Sequence, residues 1–361
     1  MHVLLTAPLM AFLISLASMP LIIKLSHRMG WYDDQDHRKI HTGEISRLGG
    51  LGFFSAYILT ILVFTFVLER QFPLPDNWGF RFILVIIAGL LIFLFGVVDD
   101  LRNLHARNKI VIQLIAAFLV LAADFTFKRI AIPFFPDSLK FGLFRYPLTL
   151  IWIIGIINAV NMIDGSDGLA GGITSIAAIS FGILFLTKEN YQAAMGSFIL
   201  AGAVWGFLVF NLPPAKLFMG DGGSQFLGFM VAVLPLIDQG SDHGESISLA
   251  HAMIILAIPI SDTIAAVWRR LRDKKSVFSP DRSHLHHKLL NLGFSSRSLL
   301  AIIYSLQIAL CVIAVPLTSH SQEVGVFLFL SAGLIVTLFF TVIHYTHKHV
   351  QKNKIRREEE E

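Results

Sequence analysis

Residues 82–98 read FILVIIAGLLIFLFGVV, a stretch without a charged side chain, and the pair Asp99-Asp100 follows it directly. A helix that crosses about 30 Å of hydrocarbon needs roughly 17 to 25 apolar residues, so this stretch is long enough to span a membrane. The whole chain has the same character, since 55% of its 361 residues are hydrophobic, 15% are charged and the mean hydropathy is +0.68. This composition lies outside the soluble globular range and predicts an all-α polytopic membrane protein.

Ten further apolar stretches bring the prediction to about eleven transmembrane helices. With the first, the eleven stretches cover residues 3–23, 49–68, 82–98, 109–123, 147–160, 169–187, 193–210, 225–237, 248–267, 298–316 and 324–345. The stretches 147–160 and 225–237 are the weakest, because they are short and are plausible only when packed against neighbours, so ten spans are also possible. No repeat or linker divides the chain, and we expect one integral-membrane domain over residues 1–347 with a charged tail over residues 348–361.

The Lys and Arg residues predict the orientation, because cytoplasmic loops carry an excess of both. The loops after the odd-numbered spans, together with the tail, hold 22 of the 29 Lys and Arg residues. We therefore expect the N-terminus outside and the C-terminus in the cytoplasm. The net charge of +4 comes mostly from Lys and Arg beside the spans, which anionic lipid explains without nucleic acid. The single cysteine, Cys311, excludes an internal disulfide and a cysteine metal cluster.

Five polar segments on the predicted cytoplasmic side carry most of the chemistry. In the first, Lys39 and His41 precede the sequence Arg47-Leu48-Gly49-Gly50, which suits a phosphate cradle at a helix start, although a positive loop before a glycine-rich packing helix explains it without a ligand. In the second, Asp99 and Asp100 end a span and Lys109 opens the next. Adjacent carboxylates near hydrocarbon repel each other, so they suggest a metal, a proton-accepting role or simple solvation of a helix end.

The third segment reads NAVNMIDGSDGLA over residues 158–170. Asn158, Asn161 and Asp164 are three residues apart and would share one helix face, and Gly165 predicts that the helix ends near Asp164. Asp167 then falls in the following turn. Oxygen ligands of this kind suit Mg²⁺, whereas a structural cap would explain only one of the carboxylates.

In the fourth segment, Asp221 lies in what we expect to be a flexible glycine-rich turn, as a metal ligand or as a cap of the next helix. The fifth segment holds three histidines in a loop of soluble character, which would offer zinc too few ligands and favour contacts to a sugar and a phosphate beside Arg282 and Lys288. These histidines are His284, His286 and His287. Asp262, at the end of the ninth span, should face protein rather than lipid.

Taken together, the motifs RKxH with RLGG, DD followed by Lys, NxxNxxDGxDGLA, MGDxGS and HLHH resemble the polyprenyl-phosphate N-acetylhexosamine-1-phosphate transferase superfamily over about residues 1–345. The chain is most similar to the bacterial undecaprenyl-phosphate N-acetylglucosamine-1-phosphate transferases. The HLHH form separates it from the phospho-MurNAc-pentapeptide transferases. Gly222 departs from the pattern, since many members carry a larger residue there.

The resemblance implies transfer of N-acetylglucosamine 1-phosphate from UDP-N-acetylglucosamine to undecaprenyl phosphate in the bacterial inner membrane, with release of UMP. This would be the first membrane step of a cell-surface polysaccharide of the O-antigen, common antigen or teichoic acid type. It also implies Mg²⁺, with Mn²⁺ as a substitute, and leaves a homodimer possible. Direct displacement and a route through an aspartyl phosphate both remain open.

The resemblance also implies roles for the residues of the five segments. Asn161 and Asp221 would hold the metal, Lys109 would neutralise phosphate, and four carboxylates would order the metal shell or take a proton, namely Asp99, Asp100, Asp164 and Asp167. The substrate-binding residues would be Lys39, His41, Arg47, Asn158, Arg282, His284, His286 and His287. Another UDP-N-acetylhexosamine is the alternative donor. A cation-coupled transporter is the alternative class, and it would need acidic groups near the membrane midplane and an inverted repeat.

Overall fold

The computed structural model describes residues 2–31, 45–71, 78–102, 104–130, 139–237, 247–276, 281, 283–318 and 322–360. Its described residues form thirteen α-helices. They are α1 (His2–Met29), α2 (Gly49–Gln71), α3 (Trp78–Arg102), α4 (Ala106–Ala122), α5 (Arg145–Ile163), α6 (Leu169–Thr187), α7 (Tyr191–Asn211), α8 (Gly220–Ile237), α9 (Leu249–Ile255), α10 (Ala257–Arg272), α11 (Leu285–Asn291), α12 (Ser296–Ala314) and α13 (Gln322–Glu360). Two antiparallel strands of two residues each, β1 (Arg129–Ile130) and β2 (Leu139–Lys140), form a minimal ladder between α4 and α5.

Each of the eleven predicted spans coincides with a helix or, in the ninth case, with a bent pair of helices. By length and composition, eight helices within the described ranges could cross a membrane, and the bent pair would make nine. The apolar part of α2, Gly49–Phe64, is shorter, and α4 has 17 residues. A polytopic all-α membrane protein is thus confirmed, while eleven crossings and the outside N-terminus stay predictions.

The ninth span is broken where α9 meets α10, with a bend of 79° that we did not predict. Pro259 lies in the first turn of α10 and has no N–H to donate to the carbonyl of Ile255, four residues earlier. The side chain of Gln307 on α12 donates to that carbonyl at 2.8 Å instead. The proline therefore permits the bend, and the glutamine satisfies the backbone group that the bend leaves open.

Helix α8 lies at the centre of the bundle, and every residue from Gly222 to Ile237 is buried. Glycines bring the neighbouring backbones close to it. A Cβ added to Gly96 of α3 would lie 2.4 Å from the Cα atom of Gly222, and one added to Gly50 of α2 would lie 2.8 Å from the Cα atom of Gly223. Small residues permit such close helix packing in membranes. The glycine-rich segment is therefore the packed first turn of a helix, and our expectation of a flexible turn was wrong.

Backbone hydrogen bonds join the starts of α2 and α8. The Phe218 N–H donates to the Ser46 carbonyl at 2.8 Å, and the N–H groups of Gly49 and Gly50 donate to the carbonyls of Phe218 and Met219 at 2.9 and 3.0 Å. The first and fourth polar segments therefore meet at one end of the bundle.

The last helix, α13, is continuous over 39 residues and would be about 58 Å long. It includes both the predicted span at 324–345 and nearly all of the predicted tail. The chain thus has no break in secondary structure at residue 347, and the division of the domain from the tail stays a prediction.

We predict that Gly96→Ala lowers the apparent melting temperature of the purified protein in detergent. The new methyl group would meet the backbone of Gly222, which cannot swing away, and overpacking of this kind costs about 1–3 kcal/mol. Gly155→Ala on α5 is the matched control, because no atom lies within 4 Å of its added Cβ and glycine inside a helix is about 0.5–1 kcal/mol less stable than alanine. Equal melting temperatures for the two variants would contradict the close packing of α3 on α8.

Candidate active site

An ion cluster lies at the amino-terminal end of α8. The Lys109 ammonium, in the first turn of α4, contacts the Asp221 carboxylate at 2.6 Å and also forms an ion pair with Asp99 at the end of α3. Asp99 is 3% exposed, and its other oxygen accepts the Leu104 N–H at 2.7 Å. The second and fourth polar segments, which are far apart in sequence, therefore bring two carboxylates onto one ammonium group.

Asp100 holds the start of α8. Its two carboxylate oxygens accept the backbone N–H groups of Asp221 at 2.8 Å and Gly222 at 3.0 Å. The first N–H groups of a helix lack partners within the helix, and the positive end of the helix dipole favours a carboxylate. Asp100 of α3 thus caps α8, and this cap fixes the backbone position from which the Asp221 side chain projects.

Asn161, near the end of α5, also contacts the Asp221 carboxylate. Its side-chain N–H₂ group donates to Asp221 at 3.1 Å and to the Ser224 hydroxyl at 2.8 Å. We did not single out Ser224 from the sequence, although it lies one helical turn after Asp221 and so shares its face of α8.

The predicted end of α5 is confirmed, because Ile163 is its last residue and Asp164 is its C-cap. Burial raises the pKa of Asp164 to about 8, and the negative charges of Asp221 and Asp100 act in the same direction while Arg47 opposes them. A carboxyl group in this position accepts a nearby cation readily, since a positive charge would restore its ordinary pKa.

Asp167 lies in the turn, as expected, but its visible role is to anchor the neighbouring loop. Its carboxylate accepts the Ala215 N–H at 2.9 Å. Asn211, to which we assigned no role, accepts the Gly168 N–H at 2.9 Å and donates to the Leu217 carbonyl at 2.8 Å. Buried polar groups must be paired, and these bonds tie the third polar segment to the fourth.

The histidine segment joins the site just after the end of α5, where His286 lies against Gly165. The Asp262 carboxylate, buried as predicted, contacts the His284 ring nitrogen Nδ1 at 2.8 Å and accepts the Leu285 N–H at 2.9 Å. This contact places the start of α11. The Arg269 guanidinium and Asp281, at 2.6 Å, hold the preceding residues.

His286 differs from our expectation of a loop of soluble character, because it is only 2% exposed. Its ring lies against Gly165, where an added Cβ would be 2.5 Å from Nε2. Burial lowers its pKa to about 3, with the charge of His287 acting in the same direction, so this ring is neutral at physiological pH. It can donate or accept a hydrogen bond but does not offer a charge to a phosphate. Among the described residues its Nε2 atom has no hydrogen-bond partner, which leaves this atom available to a ligand or a water.

Three predicted substrate-binding residues, Lys39, His41 and Arg282, lie outside the described residues. The structure brings most of the other predicted residues to one end of the bundle. Lys109, Asn161 and Asp100 contact Asp221 or its N–H group, the third segment is tied to the fourth, and His286 reaches Gly165. Asn158 lies deeper, one helical turn from Asn161 along α5, and its amide donates to the Gln113 side chain at 2.7 Å.

The donor set fits a magnesium ion that is shared with a phosphate substrate. Five carboxylates face two cations, Lys109 and Arg47, among the described residues of the cluster; the carboxylates are Asp99, Asp100, Asp164, Asp167 and Asp221. In the described ranges no three His, Cys, Asp or Glu side chains are placed to hold a metal by themselves. Mg²⁺ usually takes only one or two protein carboxylates and completes its shell with water and phosphate.

Comparison with known proteins agrees with this geometry. Residues 82–238 match the family model of glycosyl transferase family 4. The chain is 31% identical over 338 residues to a probable undecaprenyl-phosphate N-acetylglucosaminyl 1-phosphate transferase of Bacillus subtilis (strain 168), which covers 92% of this chain and 90% of the relative. It is 32% identical over 332 residues to the undecaprenyl-phosphate alpha-N-acetylglucosaminyl 1-phosphate transferase of Yersinia pestis, with 90% and 88% covered.

A transferase of the same description from Salmonella typhi is 34% identical over 287 residues, with 78% of this chain and 74% of the relative covered. Since relatives at this identity match nearly the whole chain and the matched motifs meet at one end of the bundle, the chain belongs to glycosyl transferase family 4, the polyprenyl-phosphate N-acetylhexosamine-1-phosphate transferase superfamily that its motifs resemble.

Proposed function

We propose that this protein transfers N-acetylglucosamine 1-phosphate from UDP-N-acetylglucosamine to undecaprenyl phosphate and releases UMP, as the first membrane step of a cell-surface polysaccharide. The observation that carries the proposal is the meeting of Lys109, Asp221 and Asn161 at one helix end. Relatives that cover about nine-tenths of the chain are named as undecaprenyl-phosphate N-acetylglucosaminyl 1-phosphate transferases. The same transfer from another UDP-N-acetylhexosamine is the second candidate.

The pyrophosphate of the donor would lie over the first turn of α8. Asp221 and Asn161 would hold Mg²⁺, or Mn²⁺ in its place, which supplies neutralisation of the pyrophosphate charge. Lys109 contacts both Asp99 and Asp221, so its ammonium lies where a phosphate oxygen bound beside Asp221 would gain a second positive partner. Phosphoryl transfer depends mainly on such positioning and charge neutralisation.

The geometry supports direct attack by the lipid phosphate rather than an aspartyl phosphate. Asp99 is buried, and both its oxygens are engaged, by Lys109 and by the Leu104 N–H. Burial raises the pKa of Asp164 to about 8, so without a bound cation this carboxyl group is mostly protonated and a poor nucleophile, and a phosphate on Asp164 stays the alternative route. A phosphate monoester has a second pKa near 6, so undecaprenyl phosphate is already an anion and needs no strong base.

The same observations argue against the transporter. A coupled transporter would place its carboxylates near the membrane midplane. Here Asp100 lies near the end of a helix of 25 residues, Asp221 lies at the beginning of one of 18, and Asp164 caps the end of one of 19. Acidic groups at helix ends suit a reaction at one face of the membrane, and the 22 of 29 Lys and Arg residues on that side support the cytoplasmic face.

Asp221→Ala should abolish transfer while the protein stays folded, because Asp221 is the shared partner of Lys109 and Asn161. We expect kcat to fall at least about 100-fold, which corresponds to about 2.7 kcal/mol. UMP release with UDP-N-acetylglucosamine and undecaprenyl phosphate gives the rate, and Asp273→Ala, an exposed carboxylate paired with Arg272, is the control. Near-normal activity of Asp221→Ala at saturating Mg²⁺ would remove Asp221 from the metal shell.

Sidedness can be tested with single cysteines in a Cys311→Ala background. Lys275→Cys, in the exposed end of the α10 segment, should react with an impermeant thiol reagent only after cells are permeabilised. Glu189→Cys, between α6 and α7, should react in intact cells. Labelling of Lys275→Cys from outside would overturn the orientation and, with it, a cytosolic UDP-sugar donor.

The histidine segment should affect the donor rather than the metal. We expect His287→Ala to raise the donor KM or lower kcat without changing the Mg²⁺ concentration for half-maximal rate, because Mg²⁺ prefers oxygen ligands to imidazole. The exposed His349→Ala on α13 is the control. A shift of about tenfold in the Mg²⁺ requirement, about 1.4 kcal/mol, with unchanged donor dependence would instead place His287 at the metal.

A further inference from the structure

A layer of buried side-chain amides lies directly beneath the ion cluster. The Asn158 amide of α5 donates to the Gln113 side-chain oxygen of α4 at 2.7 Å. The Gln113 amide in turn donates to the Gln225 side-chain oxygen of α8 at 3.2 Å. Gln113 and Gln225 are 1% and 2% exposed. Three helices are thus linked by a single chain of hydrogen bonds within an apolar bundle.

The spacing relates this layer to the ion cluster above it. Gln113 is four residues after Lys109 on α4, and Gln225 is four residues after Asp221 on α8. On α5, which runs in the opposite sense, Asn158 is three residues before Asn161. Residues three or four apart lie one above the other on a helix face, about one turn or 5.4 Å apart. Each member of the cluster formed by Lys109, Asn161 and Asp221 therefore has an amide beneath it on its own helix.

We infer that Gln113 and Gln225, with Asn158, are positioning residues for the proposed transfer: their amide chain sets the relative height and rotation of the three helices that present Lys109, Asn161 and Asp221 to the donor pyrophosphate. The inference rests on the proposed function. A slip of one helix by one residue would move its functional side chain by about 1.5 Å and turn it by about 100°. The amide chain opposes such a slip, because the slip would break its hydrogen bonds.

The layer is poorly explained by stability alone. The Gln225 Nε2 atom is buried and has no hydrogen-bond partner among the described residues, and an unpaired buried donor destabilises a fold. Replacing a buried polar group by an apolar side chain of similar shape is often neutral or stabilising. If the layer only filled space, leucine or methionine at these positions would stabilise the fold at least as well. A directional hydrogen-bond chain adds a fixed register, which apolar side chains supply less sharply.

The test is a double-mutant cycle of Gln113→Met and Gln225→Met, which keep the side-chain length and remove the amides. We expect each single variant to lower kcat by about 10-fold to 100-fold, since a displacement of about 1 Å at a reacting centre can cost that much, with little change in the donor KM. Because the two side chains share one hydrogen bond, the double variant should be about as slow as the slower single variant. Unchanged kcat in the single variants, or rate losses that multiply in the double variant, would overturn the inference.

Thr149→Val is the control, because Thr149 is a fully buried polar residue that accepts the Phe127 N–H at 3.2 Å, near the start of α5 and so at the opposite end of that helix from Asn161. It should leave kcat unchanged whatever its melting temperature, which separates loss of a buried hydrogen bond from loss of position. Gln113→Asn provides a second variant that retains a buried amide and folds more readily, yet is too short to reach Gln225, so it should show the same loss of kcat. Normal kcat in Gln113→Asn would count against the inference.

Failure of the proposed function can be told apart from failure of this inference. If the wild-type protein released no UMP from any UDP-N-acetylhexosamine, the proposed function would fall. The hydrogen-bond chain would still be tested by the melting temperatures of the same four proteins measured without substrate. Shifts that are less than additive in the double variant support the chain, and additive shifts overturn it whatever the donor.

Discussion

The amino-terminal end of α8 is the constraint on which the site depends. A helix start buried within a membrane bundle exposes N–H groups that neither lipid nor its own helix can satisfy. Asp100 supplies the missing acceptors for Asp221 and Gly222, and the close glycine contacts at Gly96 and Gly50 let the neighbouring helices approach. The same arrangement that satisfies the backbone also brings Asp221 within reach of Lys109 and Asn161, so the packing and the chemistry have one origin.

The carboxylates of the cluster repel one another unless a cation is present, and the protein neutralises only part of their negative charge. Lys109 pairs with two of them, and Asp100 and Asp167 are stabilised by backbone N–H groups. Asp164 remains, with a pKa raised to about 8 by burial and by its acidic neighbours. A divalent cation bound beside Asp164 would return this carboxyl group to its charged form, and a cation held there would in turn attract a pyrophosphate. Such a cation explains how a site rich in acidic residues could bind an anionic substrate.

The sequence predicted the helices, the end of α5 at Asp164 and the buried position of Asp262, because each depends on local pattern: apolar length, a glycine stop and the cost of a carboxylate in lipid. It did not predict that Asp100 caps α8, because that bond joins residues 121 apart in sequence, and the motifs around Asp100 and Asp221 do not show which residues they contact. The burial of His286 was missed for a similar reason, because polar composition suggested solvent while the close approach of Gly165 encloses the ring. Long-range packing decides these features, and a single sequence does not display it.

The bend between α9 and α10 connects this packing to the histidine segment. Pro259 removes one backbone donor, Gln307 replaces it, and α10 leaves the direction of α9 at 79°. Because of the bend, Asp262 on the buried face of α10 reaches His284 and the start of α11, and α11 places His286 against the loop that follows Asn161 and Asp164. A straight ninth helix would carry Asp262 along a different line and leave α11 without its anchor. The break at Leu256, which Pro259 permits and Gln307 stabilises, therefore lets the fifth polar segment meet the third.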